Sequence, residues 1–295
     1  MRPNLPLAIG AILFTVFALS FGDALIKMIG TRMGLAQMFV LRSTLVLIVL
    51  AGLISVRHWG ARFWPNDAGW VILRSAMLVA MWVLYYRALA YVPLATAAAA
   101  YYTLPLFITL FSAWFVGTPV GRLGWLAVAL GFLGVLIVLR PHAGSFSPYV
   151  LLPLLAAMLY AGAMILTGTK CAKDHPLTLA LWLNISFVIA GAFAEPLFGA
   201  IGAVVLAQSW SPMGLWDWAT IAVLATTILI GGIGTAIAYQ AGPAHVVGTF
   251  DFAYVAFALI WGAVFFGEAP DVFTVTGFVL IVAAGVLSLR ASPHP

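Results

Sequence analysis

Long apolar segments recur from one end of the chain to the other, and short polar connections separate them. Each segment holds roughly 18 or more mostly apolar residues, enough for a helix to cross the ~30 Å hydrocarbon layer of a membrane. The segments are continuous and do not alternate apolar and polar residues, so they favour helices over the strands of a membrane barrel. The pattern predicts ten membrane-spanning helices, at residues 5–28, 35–55, 69–90, 93–116, 122–139, 149–169, 177–198, 218–241, 246–266 and 271–290.

The composition indicates an all-α membrane protein. Of the 295 residues, 64% are hydrophobic and only 7% are charged, whereas a typical soluble domain carries roughly 25% charged residues. A soluble protein of this length could not bury that much apolar surface. The first apolar segment is too long for the apolar core of a secretion signal, so we expect it to remain as a helix.

The lysine and arginine residues indicate how the chain is oriented. With a cytoplasmic N-terminus, most of them fall at or near cytoplasmic helix ends, namely Arg2, Arg57, Arg62, Arg74, Arg122, Lys170, Lys173 and Arg290. The opposite ends hold chiefly Arg32, Arg87 and Arg140. Because basic residues accumulate on the cytoplasmic side, we expect a multi-pass inner (plasma) membrane protein with both termini in the cytoplasm. This asymmetry explains the net charge of +5 without a nucleic-acid partner.

Two stretches of the chain follow the same pattern. The stretch YVPLATAAAAYYTLPLFITLFSAWFVGT, from Tyr91, resembles GPAHVVGTFDFAYVAFALIWGAVFFGE, from Gly242. Each places a proline near the helix start, then small residues, then aromatic residues, and ends in Phe-x-Gly. Each is followed by a glycine-bearing helix with a similar end, LGVLIVLR or AGVLSLR. The chain is therefore predicted to consist of two five-helix repeats, 1–145 and 146–295.

The odd number of crossings in each repeat has a geometric consequence. Five crossings leave the second copy starting on the opposite side of the membrane, so the two repeats must be inverted. Inverted repeats are typical of secondary transporters, whose substrate site lies near the middle of the bilayer between the repeats. The sequence therefore predicts a transporter that works by alternating access.

Several short motifs occur in a characteristic order. They are a basic residue late in the first helix (Lys27), an arginine in the second (Arg42), Tyr-x-Ala-Leu ending the third (86–89), a proline in the fourth (Pro105) and Gly-Glu after the ninth (267–268). Over nearly the whole chain this order resembles the drug/metabolite transporter superfamily, and within it the EamA-type amino-acid and metabolite exporters. The resemblance implies a ten-helix, inverted-repeat carrier of small amphipathic solutes. The first repeat departs from it at 117–118, where Gly-Thr replaces Gly-Glu, so only Glu268 can carry a role of that glutamate.

Charged residues inside the predicted helices mark candidate functional positions. Asp23 and Lys27 lie four positions apart in FGDALIKMIG, so they share a helix face and can form an ion pair. Arg42 and Arg87 lie toward the same outer side. A charge in hydrocarbon costs ~2.5 to 3.5 kcal/mol even on a lenient scale, so such groups normally face the bundle interior. We expect a cluster of gating or substrate-binding groups here; alternatively, Lys27 and Arg87 only extend to the membrane interface.

Asp251 lies about five residues into the ninth predicted helix, with no basic residue nearby in sequence. A carboxylate in such a place can take up and release a proton during a transport cycle, or can bind a substrate ammonium. The repeat comparison sets Asp251 against Tyr101, so we expect both at one central cavity. The alternative is a helix-end carboxylate that is in contact with cytoplasmic water or caps a neighbouring helix.

Aromatic and polar side chains complete the expected substrate-binding region. Trp82 and Tyr86 share a helix face by their spacing, and Tyr101 and Tyr102 lie near mid-membrane. The second repeat contributes Tyr160, Trp182, Asn184, Tyr239 and Tyr254. Such residues offer a flat body with a hydrogen-bonding tip, and their ring faces attract ammonium groups. For each of them, ordinary packing inside the bundle is the alternative.

The sequence offers little for catalysis. The five histidines are scattered, no His, Cys and carboxylate set has metal-ligand spacing, and no phosphate-binding loop is present. We therefore expect neither an enzyme nor a cofactor. The predicted function is export or facilitated passage of small amphipathic metabolites, foremost amino acids including aromatic ones, with proton coupling as a candidate energy source. A channel-like facilitator or a multidrug or cationic-compound exporter is the alternative, and the oligomeric state stays open.

Overall fold

In a computed structural model of the chain, every regular element is helical within the described residues. The structure describes residues 4–29, 33–57, 61–92, 94–117, 121–139, 148–193, 210–251, 253–267 and 271–291. Glu268, Arg2, Arg32 and Arg140 lie outside these ranges.

The helices follow the predicted segments closely. They are α1 (Leu5–Ile29), α2 (Leu35–Arg57), α3 (Ala68–Leu89), α4 (Leu94–Tyr101), α5 (Leu104–Phe111), α6 (Arg122–Leu139), α7 (Leu151–Gly168), α8 (Pro176–Ala192), α9 (Leu215–Ala241), α10 (Ala244–Phe250), α11 (Ala253–Phe266) and α12 (Val272–Ala291). A π-helical turn, Ser112–Val116, extends α5, and a 3-10 turn, Pro148–Val150, precedes α7. Among the described residues, five helices are long and apolar enough to cross a membrane: α1, α2, α3, α9, and α7 with its preceding turn. The count of ten crossings stays a prediction.

Two of the predicted segments are broken into pairs of helices. The break between α4 and α5 precedes Pro105, which lacks the backbone N–H that a continuous helix would need. Helix α10 ends at Phe250, and Asp251 follows it in a turn before α11 begins. Each pair ends at a glycine in the left-handed region, Gly117 with a φ of 76° and Gly267 with a φ of 62°. Glycine is favoured there because it has no Cβ to clash with the backbone.

Helices from the two halves of the chain interleave. Helix α1 packs against α9 and α11, and α7 packs against α3 and α5. Two further pairs join the halves, α2 with α8 and α6 with α12. The last pair is close: a Cβ added to Gly134 would lie 2.7 Å from the backbone oxygen of Gly277. Small residues permit such close approach of membrane helices.

Contacts between connecting segments define one end of the bundle. The backbone N–H of Asn66 donates to the Asp174 carboxylate (2.7 Å), and the Gln240 amide donates to the Asp174 carbonyl (2.7 Å). Arg62, Lys170 and Lys173 belong to the same segments, 61–67 and 169–175, so we call this end the basic face. Cys171 is also buried here, and burial raises the pKa of its thiol to about 11.

The other end of the bundle, which we call the opposite face, is joined by different segments. The Gln37 side chain exchanges two hydrogen bonds of 2.9 Å with the backbone of Ser211. The rings of Tyr91 and Tyr149 stack with their centroids 3.8 Å apart.

Candidate substrate site

Asp23 of α1 lies inside the bundle and is held by tyrosine hydroxyls. The carboxylate is 2% exposed and accepts a hydrogen bond from Tyr86 of α3 at 3.2 Å. A second hydrogen bond comes from Tyr254 of α11, whose hydroxyl also shares a 3.0 Å hydrogen bond with that of Tyr85. Burying a carboxylate is costly unless its oxygens are hydrogen-bonded. The tyrosines therefore stabilise Asp23 in a place that water scarcely reaches.

Arg42 of α2 adjoins this cluster through the same tyrosine. Its Nη1 donates to the Tyr86 hydroxyl at 3.4 Å, and its guanidinium lies between the rings of Phe39 and Phe187, 4.8 Å from each centroid. The side chain is 1% exposed, and its Nε and Nη2 have no hydrogen-bond partner among the described residues. The aromatic faces stabilise the positive charge, but they do not form full hydrogen bonds with these N–H groups. Arg42 thus keeps donors for a further group.

Asp251 forms a second cluster of similar kind. Its Oδ2 accepts hydrogen bonds from Tyr239 of α9 at 2.8 Å and from Tyr160 of α7 at 3.3 Å. The residue is 2% exposed. The alternative of a carboxylate in contact with cytoplasmic water is therefore wrong for this structure.

A layer of tyrosine rings connects the two carboxylate clusters. Tyr101 lies between Tyr85 and Tyr160, with ring centroids 5.1 and 5.9 Å away. Tyr102 stacks on Tyr254 at 4.9 Å. Since Tyr254 binds Asp23 and Tyr160 binds Asp251, the predicted tyrosines from both halves of the chain meet at one place.

Trp82 belongs to this layer, as its spacing from Tyr86 predicted. The two rings lie 4.9 Å apart. Lys27 lies at the edge, half-buried, with Nζ 4.9 Å from the centre of the Phe266 ring. Its ion pair with Asp23 stays a prediction. Arg87 lies over the ring of Tyr91 at 5.1 Å, toward the opposite face.

Two predicted site residues have other surroundings. The Trp182 indole donates to the Phe63 carbonyl at 2.9 Å, and its ring lies 5.5 Å from that of Trp64, so it helps to build the basic face. Asn184 is buried and donates at 2.9 Å to the Ala180 carbonyl of its own helix. The structure does not bring Trp182 into the tyrosine layer.

The sequence reasoning missed two interior residues of α3. Tyr85 contacts both Tyr254 and Tyr101, and its spacing of three from Trp82 could have indicated this. Arg74 was expected at a cytoplasmic helix end, but it is 1% exposed and its Nε donates to the Thr167 hydroxyl at 2.6 Å. Arg74, Leu78 and Trp82 follow one another at intervals of four residues, so they share one helix face. This spacing could have indicated that Arg74 faces the interior.

These groups can recognise a small molecule that carries both charges. A carboxylate held by hydroxyls attracts an ammonium, a guanidinium with spare donors binds a carboxylate, and the rings between them contact an apolar body. The charged members are at most 2% exposed, so the bundle must rearrange before a solute can reach them.

The chain is similar in sequence to known membrane transporters. Residues 6–140 match the EamA-like transporter family. A riboflavin transporter from Rhizobium johnstonii is 31% identical over 226 residues, which cover 74% of this chain and 68% of that protein. The pseudopaline exporter CntI of Pseudomonas aeruginosa is 26% identical over 275 residues, 93% of each chain. An S-adenosylmethionine uptake transporter of Rickettsia bellii is 25% identical over 285 residues, 94% of this chain and 91% of that protein.

The fold is also found in a solved structure. That crystal structure superposes with a TM-score of 0.71 at 19% sequence identity, and the match covers 99% of this chain and 100% of the other. The two proteins therefore share their overall helix arrangement.

Proposed function

Because the chain belongs to the EamA-like transporter family, whose named relatives carry small molecules, we propose that it is a secondary transporter of small zwitterionic metabolites, foremost amino acids. It would act in the inner membrane by alternating access between two inverted five-helix repeats.

One observation carries the choice of substrate class. The Asp23 carboxylate and the Arg42 guanidinium are each one hydrogen bond away from the same Tyr86 hydroxyl. An α-amino acid presents an ammonium and a carboxylate at a similarly short separation. Asp23 would hold the ammonium, and the spare Nε and Nη2 of Arg42 would hold the carboxylate. The rings of Trp82, Tyr86 and Phe187 would contact an apolar or aromatic side chain.

The packing of the helices supports the proposal of inverted repeats. Exchanging the two halves turns the contacts of α1 with α9 and α11 into those of α7 with α3 and α5. The same exchange converts the α2–α8 contact into itself, and the α6–α12 contact likewise. The two broken segments also correspond, since each ends at a left-handed glycine, Gly117 or Gly267. Such internal symmetry is typical of carriers with a substrate site between their repeats.

Burial of the charged groups supports alternating access over a channel. A channel needs a continuous polar route, whereas Asp23, Arg42 and Asp251 are at most 2% exposed. A carrier passes through such a closed state between its two open states. The named relatives include both an exporter and uptake transporters, so we propose that the gradients present, rather than the fold, decide the direction of flux.

Counterflow in proteoliposomes tests the proposal. Labelled amino acids are screened first, and a transported one is then compared as a competitor with its amide, which lacks the carboxylate, and its N-acetyl derivative, which lacks the ammonium. We expect Arg42→Gln to remove the preference over the amide, and Asp23→Asn to remove the preference over the N-acetyl derivative. Arg122→Gln, at the exposed start of α6, is the matched control.

Three results would contradict the proposal in different ways. Absence of trans-stimulation would indicate a channel. Stronger competition by the amide than by the amino acid in the wild type would favour the cationic-compound exporter. Equal behaviour of Arg42→Gln and Arg122→Gln would remove Arg42 from the substrate site.

A further inference from the structure

A second buried guanidinium lies on the other side of the tyrosine layer. Arg74 of α3 is 1% exposed, and its Nε donates a hydrogen bond to the Thr167 hydroxyl of α7. Its Nη1 is buried and has no hydrogen-bond partner among the described residues. An unsatisfied buried donor costs roughly 1 to 3 kcal/mol, and more when it is charged. A membrane protein that keeps such a group inside normally uses it.

Arg74 lines a small cavity together with a tyrosine of the Asp251 cluster. The cavity has a volume of about 30 Å³ and is lined by residues of α1, α3, α7, α8 and α9, among them Arg74, Trp82, Tyr160 and Leu183. Tyr160 also donates to Asp251. The cavity is therefore lined by an arginine and by a tyrosine whose hydroxyl donates to a carboxylate.

This set contains the same three kinds of group as the cluster around Tyr86. There a tyrosine hydroxyl joins Asp23 to Arg42, and here Tyr160 lies between Asp251 and the cavity beside Arg74. Along α3, Arg74 precedes Tyr86 by twelve residues, which is roughly 18 Å at 1.5 Å per residue. Arg74 lies on the side of the basic face, because α3 begins next to the segment 61–67.

We propose that Arg74, Tyr160 and Asp251 form a second zwitterion-binding site, which opens to the basic face. The Arg74 Nη1 binds the substrate carboxylate, and Asp251 binds the ammonium. The present cavity is a contracted form of that site, since it holds no more than about one water. The ligand class rests on the function proposed above, but the existence of an anion-binding cavity at Arg74 does not.

Charge-selective labelling tests the cavity without any substrate. In a Cys171→Ser background, Leu183→Cys provides a thiol in the cavity wall. It is treated from the basic face with a negatively charged methanethiosulfonate (the sulfonatoethyl reagent) and a positively charged one (the trimethylammonium reagent). We expect the ratio of the two labelling rates to favour the anionic reagent, and to fall about tenfold or more in Arg74→Gln.

Two further variants separate binding from a structural role of Arg74. Thr167→Val removes the hydrogen bond between α7 and Arg74 but keeps the guanidinium, so we expect it to retain the selectivity. If Arg74→Gln does not fold, Arg74→Lys is tested in its place. It keeps the positive charge, so we expect it to retain the preference for the anionic reagent. Absence of labelling at position 183, as for a cavity that holds only a water, would overturn the proposal. An equal loss in Thr167→Val and Arg74→Gln would do the same.

Transport then tests the ligand class separately. In vesicles of defined orientation, we expect Arg74→Gln to raise the half-saturating concentration of a transported amino acid at least about tenfold from the basic face. The half-saturating concentration of the amino acid from the opposite face should change little. The half-saturating concentrations of the amide, measured from each face, should also change little. If the wild type moves no zwitterion, the proposed function is wrong, and the labelling result alone decides whether Arg74 forms an anion site. An equal change on both faces would overturn a site that opens to the basic face.

Discussion

Tyr86→Phe is the sharpest single test of the cluster around Asp23. The change deletes only the hydroxyl that donates to Asp23 at 3.2 Å and accepts from Arg42 at 3.4 Å. The ring remains and keeps its contacts with Trp82 and Phe39, 4.9 and 6.1 Å away between centroids. Asp23 then relies on Tyr254, and a further Arg42 nitrogen loses its acceptor.

The expected cost follows from the two lost hydrogen bonds. A hydrogen bond to a charged group contributes ~1.5 to 3 kcal/mol, and these two share one hydroxyl near the long end of the distance range, so their effects do not add. We therefore expect the free energy of unfolding to fall by about 1.5 to 3 kcal/mol. At ~2 to 4 °C per kcal/mol for a chain of this size class, the melting temperature should fall by roughly 3 to 12 °C.

The assay is thermal unfolding of the purified protein in detergent, with Tyr91→Phe as control. Tyr91 stacks on Tyr149 at the opposite face and is 47% exposed, so its loss of a hydroxyl should change stability by less than about 0.5 kcal/mol. In an Asp23→Asn background, the cost of Tyr86→Phe should shrink because the acceptor is no longer charged. A Tyr86→Phe variant as stable as Tyr91→Phe, or a cost unchanged by Asp23→Asn, would refute the reasoning.

Four other outcomes are expected. Asp251→Asn, which removes the charge proposed to bind the ammonium, should lose substrate exchange at equal concentrations; retained exchange with loss of acceleration by an imposed pH gradient would indicate proton coupling in place of ammonium binding, and full exchange with unchanged pH sensitivity would contradict both roles. Gly134→Ala should cost ~1 to 3 kcal/mol in thermal unfolding because its Cβ would lie 2.7 Å from the Gly277 oxygen, whereas Gly52→Ala, with nothing within 4 Å, should not destabilise; equal melting temperatures would count against the α6–α12 contact. With a thiol pKa of about 11, Cys171 should react far more slowly with iodoacetamide at pH 8 in the native than in the denatured protein, and equal rates would show that it is not buried. Cysteines at positions 62 and 211, in a Cys171→Ser background, should react with an impermeant reagent from opposite sides of the membrane, position 62 from the cytoplasm, and labelling from one side only would overturn the topology.

The helices were predictable because the hydrocarbon layer imposes one simple requirement on sequence, a long apolar run. The boundaries of α2 and α9 differ from the predicted ones by only two or three residues at one end. The breaks at Thr103 and Asp251 were not predicted. Membrane helices tolerate prolines such as Pro105, so hydropathy alone does not reveal where a helix is interrupted.

Within the site, relations along one helix were predictable and relations between helices were not. Trp82 and Tyr86 meet because one rigid helix fixes their spacing. The hydrogen bond between Asp23 and Tyr254 joins residues 231 positions apart and depends on how α1 packs against α11. Arg74 was misplaced because the rule for basic residues counts distance from a helix end, whereas its burial depends on the neighbouring α7.

The two carboxylate clusters are tied to a single turn of backbone. Asp251 and Tyr254 are three residues apart, yet Asp251 accepts from Tyr160 and Tyr239 while Tyr254 donates to Asp23. If the chain is the proposed carrier, a rotation of this turn that frees one carboxylate would also change the partners of the other. Two carboxylates that opened independently would let ions cross without substrate and would dissipate the electrochemical gradient across the membrane. With partners of both carboxylates on one turn, we expect the proposed carrier to open them together and so to leak few ions.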